Sequence, residues 1–306
     1  MVNKIAVLGS LNVDTTLSVQ RMPQPGETLA VTEKKQAAGG KGANQAIAAA
    51  RSEAQTMFIG QVGQDEAGQM MIQALKDDGV DVTHIYEDAM VATGSATILL
   101  DADGQNEILV FGGANQSITG KTLNLNDLAG QDFLITQFET PQAAALAAFK
   151  QAKQDGVLTI LNPAPAHEIL PELLALTDLI VPNETESALL TGIEVTDLDS
   201  MKANAAAFKR MGIPNTIITV GSRGAFFATE QHVGFMPAFK VHAKDTTAAG
   251  DTFIGALASQ LQRDFDNIEV ATQYAQRASS ITVQRYGALP SIPTKTEILK
   301  QQAEVR

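Results

Sequence analysis

The chain has 306 residues, of which 44% are hydrophobic and 18% charged, a composition that indicates a folded globular protein rather than a disordered one. Its formal net charge of −12 disfavours binding to a nucleic-acid backbone or to an anionic membrane surface. The absence of cysteine excludes disulfides, thiolate metal sites and thiol nucleophiles, and with no export signal in view it predicts a cytoplasmic protein.

Short β-prone runs alternate with helical patterns along most of the chain. Predicted buried strands lie at 5–9, 57–60, 133–137, 158–162, 179–182 and 216–221. Predicted helices lie at 42–51, 65–78, 141–155, 198–211 and 251–263. This alternation predicts a single α/β domain over residues 1–306, with a doubly wound, mostly parallel sheet flanked by helices.

Two segments interrupt the alternation. Residues 15–38 contain β-prone stretches around a PQPG turn, and residues 92–112 contain a hairpin pattern with strands at 96–100 and 107–111. We interpret both as insertions that form one small β-sheet lid outside the main domain. Ordinary surface loops are the alternative.

Polar residues follow the predicted strands at the edge where open α/β sheets bind ligands. Asn12 and Asp14 come after the first strand and share one face of an extended segment, and Glu139 follows the strand at 133–137. An amide and two carboxylates at this edge could converge on the hydroxyls of a sugar. Singly each is better explained as a turn or cap residue, whereas jointly they favour binding.

A glycine-rich loop, AGGKGANQA at 38–46, precedes the first predicted helix. Its glycines, Gly40 among them, permit close approach of a ligand, and Lys41 and Asn44 add donors. Gly42 stands where a Walker A loop needs Ser or Thr for Mg²⁺, so the loop is not a P-loop. A simple glycine turn before an Ala-rich helix is the alternative.

Two further motifs follow later strands. Asn183 and Glu186 come after the strand at 179–182 and could orient the waters of Mg²⁺ and phosphate oxygens, although a helix-capping pattern explains them equally well. The stretch TVGSRG at 219–224 is a strand end followed by a glycine turn, which suits the phosphate or ribose of a nucleotide. Alone, it fits any hairpin.

The strongest signal is DTTAAGDTF at 245–253, a run of small residues that leads into a helix. Backbone N–H groups of Ala248, Ala249 and Gly250 at the helix N-terminus could form an anion hole for a transferring phosphoryl group. Asp251 would then face the acceptor hydroxyl as general base, a role that demands positioning more than strong basicity. A helix-capping role for Asp251 is the alternative.

In their order and spacing these motifs resemble the ribokinase family, also called the PfkB carbohydrate kinases, over nearly the whole chain. The resemblance implies an ATP-dependent kinase with Asp251 as base and a β-sheet lid that often forms a dimer contact. The implied sugar-binding residues are Asn12, Asp14, Gly40, Lys41, Asn44, Glu139 and Asp251. The implied ATP-binding residues are Asn183, Thr219, Val220, Gly221, Ser222, Arg223, Gly224, Gly250, Asp251 and Gln276. Gln276 departs from the Asn or His expected beside adenine.

The resemblance also implies two metal cofactors. Mg²⁺ would be organised by Asn183 and Glu186. Potassium would act as an activator, held mostly by backbone carbonyls. The implied K⁺ ligands are Asp245, Thr247, Thr282, Arg285, Gly287 and Ser291.

The candidate sugar site favours a neutral acceptor. Lys41 is the only cation among its residues, so a sugar phosphate lacks a cationic pocket, and no aromatic residue beside Asn12 or Asn44 offers a platform for a nucleoside base. Ribose is therefore the foremost substrate, with deoxyribose or a ketohexose such as fructose as alternatives. A non-catalytic, sugar-responsive regulator is disfavoured by the intact Gly250-Asp251 pair, and a dinucleotide oxidoreductase by the lack of a glycine fingerprint.

Overall fold

The structure is a computed structural model that describes residues 2–120 and 122–303, so both ends of the predicted domain and Lys121 lie outside the described residues. The strands are β1 (Lys4–Leu8), β2 (Asn12–Ser18), β3 (Glu33–Gly39), β4 (Gln55–Gly63), β5 (Asp81–Asp88), β6 (Gly94–Leu100), β7 (Asn106–Phe111), β8 (Phe133–Thr136), β9 (Leu158–Leu161), β10 (Leu179–Ile180), β11 (Asn215–Thr219), β12 (Gly224–Ala228) and β13 (Val233–Pro237). The helices are α1 (Lys41–Arg51), α2 (Glu66–Asp77), α3 (Gln142–Gln154), α4 (Pro171–Leu174), α5 (Glu184–Thr191), α6 (Leu198–Arg210), α7 (Ala249–Gln260), α8 (Ile268–Thr282) and α9 (Lys295–Ala303). Each predicted strand and helix is present, with its ends displaced by a few residues.

The main sheet places β1 next to β8 and β4, in the strand order β13-β12-β11-β10-β9-β8-β1-β4-β5. The strands from β11 to β5 along this order pair in parallel, whereas β12 and β13 run antiparallel at one edge. The prediction of a doubly wound, mostly parallel sheet is confirmed.

Alternate residues of β1 belong to different layers of the core. Ile5 and Val7 pack with apolar residues of α1, α7 and α8, whereas Ala6 and Leu8 pack with apolar residues of α3. All four side chains are fully buried, because helices cover both faces of the parallel sheet. This packing explains why the strand reads as an unbroken apolar run.

The two interrupting segments form one small sheet with the strand order β3-β2-β6-β7. Strand β2 pairs antiparallel with β3 and parallel with β6, and β6 and β7 form the predicted antiparallel hairpin. The surface-loop alternative is therefore wrong. The sheet begins at Asn12, earlier than the segment 15–38 predicted for it. All residues of its edge strand β7 are exposed, including Ile108, Leu109, Val110 and Phe111.

None of the helices in the described ranges combines the length and the apolar character needed to span a bilayer.

Candidate active site

Two adjoining cavities open at the carboxyl ends of the main-sheet strands. The small cavity, about 220 Å³, has Lys41, Asn162, Glu186 and Asp251 in its lining. The large cavity, about 590 Å³, is lined by parts of the segments 219–224 and 238–243 and of helix α8. Gly250 belongs to both linings, so the N-terminus of α7 stands where the two cavities meet.

Asp251 lies in the first turn of α7 and has 7% of its surface exposed. Its Oδ2 accepts a hydrogen bond of 2.9 Å from Asn44 Nδ2, and its Oδ1 accepts one of 2.9 Å from Gln45 Nε2. Both donors come from α1, which packs closely against α7. The close packing requires a glycine at position 255, because a Cβ there would lie only 2.6 Å from the Cβ of Ala48. The carboxylate is thus held in one orientation by neutral donors.

A chain of amide side chains supports this orientation. Gln137 Nε2 donates to Gln45 Oε1 at 2.6 Å, which fixes the end of the Gln45 amide that points at Asp251. Gln45 Nε2 also donates to Asn162 Oδ1 at 3.1 Å, and Asn162 Nδ2 donates to the Val181 carbonyl at 3.1 Å. The residues that directly follow β8, β9 and β10 therefore help to hold one carboxylate.

Glu139 caps helix α1, which begins after Gly40, a residue without a side chain to do so. Glu139 Oε2 accepts hydrogen bonds from Lys41 N at 3.0 Å and from Ser10 Oγ at 2.6 Å. Ser10 Oγ in turn accepts one from Gly42 N at 3.2 Å. A carboxylate here satisfies free N–H groups and complements the positive end of the helix dipole. Glu139 therefore has the capping role considered as its alternative, and it also touches the glycine-rich loop.

Lys41 lies near three carboxylates. Burial lowers the pKa of its ammonium group, but the charges of Asp251, Glu139 and Glu186 raise it, and the net change is upward. Lys41 is therefore charged at neutral pH. A cation in the first turn of a helix is otherwise unfavourable, and its place on the small cavity suits an anionic ligand.

Asn12 and Asp14 lie on β2, where the small sheet begins. Asn12 has 5% of its surface exposed, and its Oδ1 accepts a hydrogen bond of 2.8 Å from Asn115 Nδ2. Asp14 is half-buried; burial, and then the negative charge of Glu139, raise its pKa to about 6. Asp14 and Glu139 are thus close enough to interact electrostatically, and acceptors of this kind suit the hydroxyls of a polar, uncharged ligand.

We expect Asp14→Asn to stabilise the fold at neutral pH. The pKa of Asp14 is raised from 3.8 to about 6 in the folded protein, so its ionisation costs stability above about pH 6, and this cost fades as the pH falls toward 3.8. The free energy of unfolding should rise by at most about 3 kcal/mol at about pH 7.5 and by clearly less at about pH 4.5. Urea denaturation at both pH values measures the difference.

Asp103→Asn, in the exposed turn between β6 and β7, is the control for this experiment and should show no pH-dependent gain of that size. If Asp14→Asn stabilised the protein equally at both pH values, removal of a buried charge would not be the cause.

Helix α7 begins with free backbone donors. Ala248 precedes the helix in the left-handed conformation, with φ 59°. Within the described ranges, the N–H groups of Ala248, Gly250 and Asp251 have no backbone acceptor, whereas Ala249 N donates to the Thr246 carbonyl at 3.2 Å. Apart from its two chain neighbours and the nearby backbone of α7, no atom lies within 4 Å of a Cβ built on Gly250. Small residues thus leave helix N-terminal donors open to a ligand, the arrangement that favours an anion.

Most predicted nucleotide residues line the large cavity, and three do not: Asp251, which lines only the small cavity, Val220 and Arg223. Those in the lining are Asn183, Thr219, Gly221, Ser222, Gly224, Gly250 and Gln276. The side chain of Val220 is buried in a separate apolar cluster. The guanidinium group of Arg223 donates to the carbonyls of Thr196 at 2.8 Å and Val195 at 3.3 Å. The side chains of Val220 and Arg223 therefore contact other parts of the protein and do not line the large cavity.

Asn183 and Glu186 form a capping box at the start of α5. Glu186 N donates to Asn183 Oδ1 at 2.8 Å, and Asn183 N donates to Glu186 Oε2 at 2.9 Å. The helix-capping alternative is confirmed, yet both residues also line the small cavity. Burial raises the pKa of Glu186, the Asn183 N–H and Lys41 oppose this, and the net change is upward. Their oxygens are of the hard type that Mg²⁺ prefers.

The residues predicted to hold K⁺ fall on two segments that hydrogen bonds join. Asp245 Oδ2 accepts from Gly287 N at 2.9 Å, and Asp245 Oδ1 accepts from Thr247 N at 2.9 Å. Lys244 N donates to the Val283 carbonyl at 2.7 Å. The loop before α7 is thereby tied to the segment after α8.

Three of the K⁺ candidates use their side chains elsewhere. Thr282 Oγ1 donates to Thr252 Oγ1, Arg285 forms an ion pair with Glu297, and Ser291 Oγ donates to the Ala288 carbonyl. Any ligand oxygens from these three would be backbone carbonyls.

Sequence reasoning missed several residues of the site. They are Ser10, Gln45, Asn115, Gln137, Asn162 and Thr246. A signal was present for Asn162, which follows β9 at the same sheet edge as Glu139 follows β8. Gln45 directly follows Asn44, but nothing local distinguishes it from other polar residues of a helix.

Comparisons with known proteins agree with this geometry. The family described as pfkB family carbohydrate kinase matches residues 2–295. The ribokinase of Staphylococcus aureus is 48% identical over 301 residues, which cover 97% of this chain and 99% of that protein. The structure of Arabidopsis thaliana ribokinase complexed with ribose and ATP is 31% identical, has a TM-score of 0.92 and is matched over 98% of both chains.

A second curated relative is longer than this chain. The bifunctional ribokinase/ribose-5-phosphate isomerase A of Fructilactobacillus sanfranciscensis is 52% identical over 299 residues. The match covers 97% of this chain but 55% of that protein.

Proposed function

We propose, since the chain belongs to the pfkB family of carbohydrate kinases, that it transfers the terminal phosphoryl group of ATP to the primary 5-hydroxyl of D-ribose. The products are ribose 5-phosphate and ADP. One observation carries the proposal: the buried carboxylate of Asp251 and the free N–H of Gly250 lie together where the two cavities meet. The likeness to proteins named ribokinase supports ribose as the sugar. We place the reaction in the cytoplasm, because a chain without cysteine suits a reducing compartment.

Asp251 and the N-terminus of α7 have different roles in the reaction. The sugar is placed so that its 5-hydroxyl donates to Asp251, which accepts the proton as the hydroxyl oxygen bonds to phosphorus and the bond to the leaving ADP oxygen breaks. The N–H groups of Ala248, Gly250 and Asp251, with the Lys41 ammonium, stabilise negative charge on the transferring group. The Asp251 N–H here replaces that of Ala249, which was predicted for the anion hole but donates to the Thr246 carbonyl. The sugar is held by Asn12, Asp14, Gly40, Lys41, Asn44 and Glu139.

The nucleotide is assigned to the large cavity. Its phosphates would approach Gly250 from the side of Asn183 and Thr219, which belong to both cavity linings. Bound Mg²⁺ supplies neutralisation of phosphate charge, and the oxygens of Asn183 and Glu186 fit such an ion.

A non-catalytic sugar-responsive regulator is the competing function. It would need no base and no free anion donors, and both are in place at Asp251 and Gly250. Among substrates, deoxyribose and fructose remain alternatives, because they offer the same kind of neutral hydroxyls.

An ATP-consumption screen across pentoses, hexoses, nucleosides and sugar phosphates tests the proposal. Ribose should give the highest kcat/KM. Turnover of a nucleoside or a sugar phosphate with inert ribose would show that the substrate is wrong and the kinase assignment right. Ribose binding without turnover of any compound would favour the regulator.

We propose that K⁺ activates the enzyme by ordering the loop before α7. At fixed ionic strength, turnover should be several-fold higher in K⁺ than in Na⁺ or Li⁺, because carbonyl-lined sites suit a large, weakly hydrated ion. Asp245→Ala should weaken this response, since Asp245 joins the loop to Gly287. Asp264→Ala, in the turn after α7, is the control and should respond like the wild type. Equal activity in all three cations would leave the K⁺ site without support.

We propose that the small sheet acts as a lid over the sugar and as the contact of a homodimer. Its edge strand β7 exposes an apolar run in which Leu109 is 65% and Val110 67% exposed, a surface prone to association. Leu109→Lys should shift the protein from dimer to monomer in light scattering. Val270→Lys, at an equally exposed site on α8, should leave the dimer intact. A monomeric wild type would contradict the proposal.

A further inference from the structure

One wall of the large cavity is a segment with few attachments. Residues 239–243, here called the wall segment, contribute Phe239, Lys240, Val241 and Ala243 to the lining. Its flanks are anchored, because Ala238 N donates to the Arg223 carbonyl at 3.1 Å and Lys244 N to the Val283 carbonyl at 2.7 Å. Between these anchors, the residues of the wall segment make no hydrogen bond within the described ranges.

Arg277 supplies the missing attachment. The central carbon of its guanidinium group lies 3.4 Å from the centre of the Phe239 ring, well within the range of a cation–π interaction. Helix α8 carries Arg277 next to Gln276, which lines the same cavity. The guanidinium group therefore lies over one face of the Phe239 ring, and Arg277 itself does not line the cavity.

The burial of Arg277 is unfavourable for the free energy of folding, which indicates that this residue has a functional role. Arg277 has 5% of its surface exposed, its Nε has no hydrogen-bond partner, and the residues described here offer it no ion pair. Burial lowers the pKa of its guanidinium group. An unpaired buried cation is unfavourable for folding, so a fold that needed only an apolar contact here would be better served by an apolar side chain.

We propose that Arg277 is a positioning residue for the nucleotide, which holds Phe239 and the wall segment in the place where they pack against the base of a nucleoside triphosphate. The proposal rests on the assignment of the large cavity to ATP. With the phosphates at Gly250, the apolar part of the lining, which includes Phe239, Val241 and Phe253, is left for the base. Arg277 acts through the ring and does not touch the reacting atoms.

ADP affinity, measured by calorimetry, tests this role. Arg277→Met keeps length and apolar volume without charge, and Phe239→Leu removes the ring; each should weaken ADP binding by roughly 5–20-fold. Arg277→Lys keeps a cation and should restore part of the affinity. The double variant Arg277→Met/Phe239→Leu should bind ADP no more weakly than the weaker single variant, because both remove one interaction. In turnover assays the loss should appear in KM for ATP and not in KM for the sugar.

Arg263→Met is the matched control. Arg263 donates to the carbonyls of Asp132 and Gly156, away from the cavity, so its loss should lower thermal stability without changing ADP affinity. Wild-type ADP affinity in Arg277→Met, whatever its melting temperature, would overturn the proposal. If Arg277→Met fails to fold, wild-type affinity in Phe239→Leu would overturn it equally. Because the readout is ADP binding, inertness of ribose would contradict the substrate assignment alone.

Discussion

Asp251→Asn is expected to lower kcat by about 10²–10⁴-fold with little change in sugar binding. The new amide keeps the shape of the carboxylate but cannot accept the hydroxyl proton. Its surroundings can adapt: Gln45 Nε2 still meets an oxygen, and Asn44 can turn so that its Oδ1, which has no hydrogen-bond partner within the described ranges, accepts from the amide. The variant should therefore fold like the wild type.

Steady-state kinetics at saturating ATP, together with calorimetric sugar binding, measure this result. Asp199 offers a control matched in helix position, because it lies in the first turn of α6 as Asp251 lies in the first turn of α7. Unlike Asp251, Asp199 is exposed. Asp199→Asn should retain full activity. Wild-type turnover in Asp251→Asn would remove the base from the mechanism, and a sugar affinity that fell as far as kcat would indicate a role in ground-state binding instead.

Gly250→Val is expected to lower kcat/KM by at least about a hundredfold while leaving the fold intact, the scale of losing an anion-hole donor. Beyond its chain neighbours and the nearby backbone of α7, a Cβ at this position meets no atom within 4 Å, so the helix can accept the larger residue. The same open space is where the phosphoryl group must approach the N–H groups of Gly250 and Asp251. A branched side chain there prevents the phosphoryl group from reaching these N–H groups but does not disturb the packing of α7.

Matched glycine variants separate these effects. Gly250→Ala should give an intermediate activity, because one methyl group occupies less of the space. Gly120 also has no atom within 4 Å of a built Cβ, and Gly120→Val should be active. Thermal melting of all three variants should stay near that of the wild type. An active Gly250→Val would contradict the anion hole, and an unfolded one would show that position 250 serves packing.

The strands and helices that could be predicted are those whose buried residues form a simple apolar pattern in the sequence. Strand β1 is an unbroken apolar run because helices cover both of its faces, and this run is visible in sequence. The sequence pattern did not predict helix α8, because many of its buried residues are polar, among them Thr272, Gln276, Ser280 and Thr282. Gln276 and Ser280 line the large cavity, so the site itself blurred the apolar period of the helix.

The candidate site was predictable where a local rule applied. Asn12, Glu139 and Asn183 follow strands, and the rule that ligands bind at the carboxyl edge of an open sheet identified each. The support of Asp251 was not predictable in this way. The hydrogen bond from Gln137 to Gln45 spans 92 positions and depends on which helix packs against which strand, information that no local motif contains.

The two hydrogen bonds that orient Asp251 join residues 207 and 206 positions apart in the chain. Closing loops of that length carries a large entropic cost before any contact repays it, so these bonds are expected to form late in folding. During refolding, circular dichroism should recover before turnover does. During synthesis, β1 and α1 leave the ribosome long before α7, and the nascent chain must remain without activity, whatever structure it has gained, until α7 can reach α1.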